Sequence, residues 1–230
     1  PLEHKCVAET CMEMKTTKNV ELVYLRPDKK GDLDLNQLES LLQSSDKKTL
    51  VSLMHANNEI GNILDIDRVA QLCKQYHALF HSDTVQTIGH LDLDFSKTLV
   101  DFASCSAHKF HGPKGSGFAF IRKASGMKGL IVGGPQERAL RAGTENVCGI
   151  VGMGKALDIS IQNMQEYSKH MQTIKEYTIK RLTQEIPGVK FNGRSAEKDR
   201  SLYTVLSVAL PFKNPLIGLQ LDMKGVAISQ

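Results

Sequence analysis

A short apolar run, Thr49-Leu-Val-Ser-Leu-Met-His55, is followed by a polar loop, by a helical pattern from about Asp65, and then by a second apolar run, Leu79-Phe-His-Ser82. This strand–helix–strand repeat constrains the fold more than any other feature, because it builds a mostly parallel sheet from βαβ units. The helix is amphipathic, with Ile66, Val69, Leu72, Cys73 and Tyr76 on one face. Upstream, Leu35, Leu38, Leu41 and Leu42 recur at helical spacing, and Asp34 with Gln37 has the form of a capping box. Further strands are expected at Asp101–Cys105, Phe118–Ile121 and Leu130–Val132.

From Val147 to Ile186 an apolar stripe (Ile150, Met153, Leu157, Ile161, Met164, Met171, Ile174, Leu182) keeps near-helical spacing. Forty residues would span roughly 60 Å, so the pattern predicts a long connecting helix, kinked along its length, with two consecutive helices as the alternative. Pro187-Gly188 stops it. A strand from Val205 to Leu210, a short helix capped by Asn214, and a final strand from Val226 are predicted beyond. The expected organisation is a large domain over residues 1–160, a connecting helix over 161–186, and the start of a smaller α/β domain over 187–230. The first residue is Pro, not Met, and the chain stops inside the run Gly225-Val-Ala-Ile-Ser-Gln230, so a piece of a longer protein is expected.

Composition narrows the function classes. Of 230 residues, 41% are apolar and 23% charged, which excludes disordered, collagen-like and coiled-coil chains. Trp is absent and aromatics are only 6%, too few for a single-strand stacking platform. The net charge of +4 is spread along the chain, so no nucleic-acid patch is expected. Five cysteines, none in a CxxC pair, fit free thiols in a reducing compartment. No apolar run reaches the ~18 residues of a membrane helix.

In open parallel sheets, ligands bind beyond the carboxyl ends of the strands. Those ends carry Asn57, Asn58 and Glu59; then Asp83 and Gln86; then Ser106, His108 and Lys109, followed by Gly112-Pro-Lys-Gly115-Ser-Gly117. An amide, a carboxylate and a hydroxyl–imidazole–amine cluster are what pyridoxal 5'-phosphate requires. The amine forms a Schiff base, the carboxylate keeps the ring nitrogen protonated, and the other donors hold the ring oxygen and the phosphate. Each residue alone has a plainer reading, with Lys109 as surface charge, Asp83 as a cap and Ser106 as a turn residue. His77 with His81, or His108 with His111, could begin a metal site, but there is no HExxH and no third ligand in register. The Gly112–Gly117 loop lacks the Gly-Lys-Ser/Thr ending of a nucleotide-binding loop.

Taken together, Ser106-Ala-His108-Lys109-Phe-His-Gly112-Pro-Lys-Gly115, Met54-His-Ala-Asn-Asn58-Glu-Ile-Gly61 and His81-Ser-Asp83-Thr-Val-Gln86 resemble the cysteine desulfurases. These belong to the class V aminotransferase group of fold-type I pyridoxal-phosphate enzymes. Arg138-Ala-Leu-Arg141-Ala-Gly-Thr144 is similar to that family's Arg-x-Gly-Thr turn, and the resemblance runs from Glu3-His4-Lys5 to Gly225-Val-Ala-Ile-Ser-Gln230. It implies a three-layer α/β large domain with part of a small C-terminal one. It also implies roles. Lys109 would carry the cofactor and move the substrate α-proton, Asp83 would pair with the ring nitrogen, and Gln86 would bond the ring oxygen. Ser106 and His108 would hold the phosphate, with Thr144 reaching it from the other subunit of a homodimer. His4 would stack on the ring, and Asn58 would help to hold the substrate carboxylate.

The implied reaction converts L-cysteine to L-alanine and leaves a persulfide on an enzyme cysteine, for delivery to iron–sulfur scaffolds or thiolation acceptors. The family's nucleophilic cysteine follows a strand resembling Gly225–Gln230, and none of Cys6, Cys11, Cys73, Cys105 and Cys148 matches it. Cys73 and Cys105 are expected to be buried. The phosphate-cradling Gly/Thr segment and the carboxylate-binding arginine of the family have no counterpart here. A selenocysteine lyase of the same family and a non-catalytic cofactor-binding scaffold are the alternatives, with a metal hydrolase behind them. A bacterial cytoplasm is the expected location, and a mitochondrial matrix would leave the same pattern.

Overall fold

The computed structural model describes residues 2–229. Helix α1, Lys5–Lys18, comes first. Helix α2, Leu35–Gln43, precedes strand β1, Leu50–Ser52, and helix α3, Ile66–Gln75, leads into strand β2, Leu79–Asp83. Strand β3, Phe102–Ser106, runs into a 3-10 turn, Ala107–Phe110, and strand β4 spans Gly117–Ile121. The sheet order is β1-β2-β3-β4, with the first three strands parallel and β4 antiparallel to β3. The mostly parallel α/β sheet expected from the sequence is therefore present. It needs the βαβ crossover through α3 because parallel neighbours cannot be joined by a tight turn.

The apolar stripe of α3 explains how the helix sits. Ile66, Val69, Ala70, Leu72 and Cys73 are buried with Leu38 and Leu42 of α2 and Val51, Phe80 and Ala103 of the sheet. Asp65 caps α3 by accepting from Arg68 N at 2.9 Å. Asp34 caps α2 through Asn36 N at 2.9 Å, so Gln37 does not complete a capping box. A second cluster joins Ile88, Cys105, Ala107 and Phe110 to Met153, Ala156 and Leu157. The last three belong to α4, Val147–Gln162, which thus props the 3-10 turn that follows β3.

The stripe from 147 to 186 does not form one helix. It divides into α4 and α5, Met164–Glu185, at Asn163, whose backbone turns to φ −104°, ψ 8°. The Asn163 amide donates to Ile159 O at 2.8 Å, the competition with the helix ladder that makes Asn a poor interior residue. Leu130–Val132 is not a strand, since Ile131 makes only an isolated bridge to Arg141. In the C-terminal part, β5, Lys190–Phe191, pairs antiparallel with β6, Val208–Ala209, a shorter strand than expected. The last helix, α6, spans Ile217–Asp222, and Asn214 braces its entry by accepting from Leu216 N rather than capping it directly. Residues 226–229 form no strand, and Gln230 lies outside the described residues.

Candidate active site

Because β1, β2 and β3 are parallel, their carboxyl ends share one edge of the sheet. Beyond β1 the chain stays beside β2, with Leu53 N donating to His81 O at 3.1 Å and His55 N to Asp83 O at 2.9 Å. The polar loop thus opens directly next to Asp83. Asn57 folds that loop. Its buried side chain accepts from Glu59 N and Ile60 N, both at 2.9 Å, and donates to Leu2 O at 2.9 Å. With Asn57 used as scaffold, half-buried Asn58 is the amide presented, resting against Glu59 at 2.6 Å.

Asp83 ends β2 at 5% exposure, one oxygen accepting from Val85 N at 2.9 Å in an Asx turn. Thr84 fastens that turn to β3 through its backbone N–H and hydroxyl, both donating to Ser104 O. Gln86 follows, half-buried. Two residues before Asp83, His81 meets Ser52 Oγ at 2.8 Å through Nδ1, and burial holds its pKa below the ordinary value against the pull of Asp83.

Ser106 ends β3, and the 3-10 turn explains how the next residues face. Residues i and i+3 eclipse in a 3-10 turn. Ala107 and Phe110, each 0% exposed, are the anchor, and His108 and Lys109 between them face solvent. The glycine loop serves the same end. Ala107 N donates to Ser116 O, Gly112 N returns to Ala107 O, and Gly117 lies so close to Cys105 O that a Cβ would clash with the backbone. The loop turns the chain into β4.

The structure therefore gathers Asn58, Asp83, Gln86, Ser106, His108 and Lys109 at one edge. His4 is exposed and caps α1, its Nδ1 accepting from Cys6 N and lying 2.9 Å from Cys6 Sγ. Its neighbours tie it to the edge, with Glu3 accepting from Met54 N at 2.7 Å and Leu2 O from Asn57. Thr144 stands exposed before α4, and among the described residues no hydrogen bond links it to the edge. Cys73 and Cys105 are buried, and burial pushes both thiols up to about 12, poor values for a nucleophile. Among the described residues no three His, Cys, Asp or Glu side chains come together as a metal site.

Three neighbours of the edge lacked a readable local signal. Glu3 has one oxygen on Met54 N and the other buried without a partner, and burial, with the Asp83 charge adding, raises it to about 7. His55 is buried, bonded through Nδ1 to Thr87 Oγ1 at 3.0 Å, and lowered to about 4 by burial. His90 reaches the Lys109 carbonyl. Glu3 was within reach only as part of the Glu-His-Lys match.

A pyridoxal-phosphate group fits this edge. Buried carboxylates are ordinarily paired, yet Asp83 takes part in no ion pair among the described residues, and neither does Lys109. A protonated ring nitrogen would supply the missing cation, and the exposed amine of the next strand end is available to the aldehyde.

Comparisons with known proteins agree. The chain is 38% identical over 229 residues to cysteine desulfurase IscS of Dictyoglomus turgidum, covering 99% of this chain and 57% of that protein. It is 36% identical over 225 residues to cysteine desulfurase IscS of Clostridium botulinum, covering 98% and 56%. The chain thus spans somewhat over half the length of these relatives. Among solved structures, a NifS-like protein superposes with a TM-score of 0.91 at 38% identity, covering all of this chain and 61% of the other. A NifS-like protein from Rickettsia africae gives 0.89 at 28% identity, covering 99% and 61%. The fold is that of the fold-type I enzymes, a family dependent on pyridoxal phosphate. Since the aminotransferase class-V family model matches residues 1–230 from end to end, the chain belongs to that family.

Proposed function

We propose that this protein is a pyridoxal-phosphate-dependent cysteine desulfurase, which takes L-cysteine to L-alanine and retains the sulfur as a cysteine persulfide. The observation that carries the reading is the strand-edge set of Asp83, Ser106, His108 and Lys109, in a chain 38% identical to a named cysteine desulfurase over nearly its whole length. When bound, the cofactor supplies an electron sink for the bonds of the substrate α-carbon.

The residues then divide the work. Lys109 holds the cofactor covalently and carries the proton taken from the substrate α-carbon. Asp83 keeps the ring nitrogen protonated, and Gln86 donates to the ring oxygen. Ser106 and His108 bind the phosphate from β3 and its 3-10 turn. Asn58 receives the substrate carboxylate, and His4 covers the ring. Sulfur transfer balances without an outside oxidant, because a protein thiol and L-cysteine become a persulfide and L-alanine. The thiol is not assigned to any of the five cysteines.

A homodimer completes this reading, with Thr144 of each subunit serving the phosphate of the other. Its support is the apolar surface flanking Thr144, where Leu130 is 89% and Val132 88% exposed and Val147 and Val151 are exposed as well. Residues 187–230 are read as the start of a second domain, supported by their separate two-stranded sheet. Transfer of the persulfide sulfur to an iron–sulfur scaffold or thiolation acceptor in a reducing cytoplasm agrees with five unpaired thiols.

The test is made on the full-length protein with pyridoxal phosphate and L-cysteine. Yellow protein, borohydride fixation of the cofactor on Lys109, and equal yields of alanine and persulfide sulfur are expected. Colourless protein, or yellow protein that makes no alanine, would refute the proposal.

A further inference from the structure

His90 closes the turn that begins at Asp83, and its ring reaches the backbone of the cofactor lysine. Its Nε2 lies 3.0 Å from Lys109 O. A carbonyl can only accept, so Nε2 carries the hydrogen. The other nitrogen, Nδ1, faces the Tyr203 hydroxyl at 3.4 Å, and the same hydroxyl donates to His90 O at 3.2 Å. The two rings meet edge-on, with centroids 6.0 Å apart and planes at 88°. Burial, together with the charges of His111 and Lys109, holds His90 below its ordinary pKa, which keeps the neutral tautomer.

Tyr203 belongs to a strap that crosses the sheet edge. Leu202 N donates to Gly61 O at 2.8 Å, closing the loop that presents Asn58. From α5, the buried Lys175 amine donates to Ser201 Oγ and Leu202 O, both at 2.9 Å. The Lys109 peptide needs such support. It lies in a four-residue 3-10 turn, where hydrogen-bond geometry is poor and the last carbonyls lack partners within the turn.

We propose that His90 and Tyr203 are positioning residues that fix the peptide of Lys109 and thereby aim its amine at the cofactor aldehyde. The proposal rests on the reading of Lys109 as the cofactor lysine.

The test compares two ligands of the full-length apoprotein. Pyridoxal phosphate bonds covalently to a lysine, whereas pyridoxamine phosphate shares its ring and phosphate but has no aldehyde. His90→Leu is expected to weaken pyridoxal phosphate at least tenfold and to leave pyridoxamine phosphate within twofold. His90→Gln, which can still donate to Lys109 O, should regain most of the loss. Tyr203→Phe should weaken pyridoxal phosphate about threefold, again without touching pyridoxamine phosphate. Equal weakening of both ligands in the three variants would show a merely structural role and overturn the proposal, as would unchanged binding of both. Should His90→Leu not fold, the Tyr203→Phe variant decides by the same ratio of affinities. Wild-type protein that binds neither ligand would refute the functional reading, and this proposal with it.

Discussion

Glu3 makes the pH dependence of stability a quantitative test. Its carboxyl is raised from 4.5 to about 7, chiefly by burial, with the Met54 N–H opposing and Asp83 adding. A carboxyl whose folded pKa lies above its unfolded one favours the folded state at low pH, and that contribution is lost as pH rises from 4.5 through about 7. Integrating between pH 5 and pH 8 gives a loss of about 2.5 kcal/mol, an upper figure because the half-buried group keeps some solvent screening. Glu3→Gln keeps an acceptor for Met54 N and removes the titration. Any fixed cost of the new amide is independent of pH and drops out of the comparison. The assay is urea unfolding of both proteins at pH 5, 6, 7 and 8, followed by helix ellipticity because the chain has no Trp. His55, lowered to about 4, loses stability as pH falls below its unfolded value of 6.5, but equally in both proteins. The variant should gain about 1–2.5 kcal/mol on the wild type between pH 5 and pH 8. Parallel curves for the two proteins would refute the reasoning.

Asp83→Ala should leave the protein yellow with added cofactor while slowing exchange of the substrate α-proton into deuterated water at least a hundredfold, since stranding one member of a buried charge pair costs about 3–5 kcal/mol. Unchanged exchange would reduce Asp83 to the cap of its turn at Val85. Phe110→Ala should lower stability by about 3–5 kcal/mol in urea unfolding, the usual cost of emptying a fully buried aromatic site, and a loss under 1 kcal/mol would contradict the packing described. The wild type is expected to sediment as the proposed dimer and Leu130→Asp combined with Val132→Asp as a monomer at the same concentration; a dimeric variant would remove that surface from the interface.

The sheet and its site were legible for a local reason. In β1 to β3 and α3 the period of apolar residues coincides with burial, and Asp65 sits where a cap must sit. The residues at the strand ends could therefore be placed on one edge from the sequence. Periodicity failed where a single residue decides the path. The stripe through 147–186 continues across Asn163, so it cannot show that the Asn163 amide breaks the helix there. Leu130–Val132 reads as a strand from its composition, but strands exist only by pairing, and Ile131 alone finds a partner in Arg141. Tyr203 carries no local signal at all. Its importance comes from His90, 113 residues away, and separations of that kind are written only in the fold.

The strap also sets an order of events during synthesis. Asn57 folds the loop bearing Asn58 locally, but Arg194 N donates to Asn62 Oδ1 across 132 residues, so the long-range latch on that loop waits until the chain has grown well past α5. At ~5–20 residues per second, translation leaves that loop unlatched for about 7–26 s after Asn62 is made. Closing a span of that length carries an entropic term of about 4 kcal/mol, which must be met by contacts on both sides of the sheet edge. A nascent chain that has not yet reached Tyr203 would thus display Lys109 and Asp83 on a sheet edge that still lacks its latch.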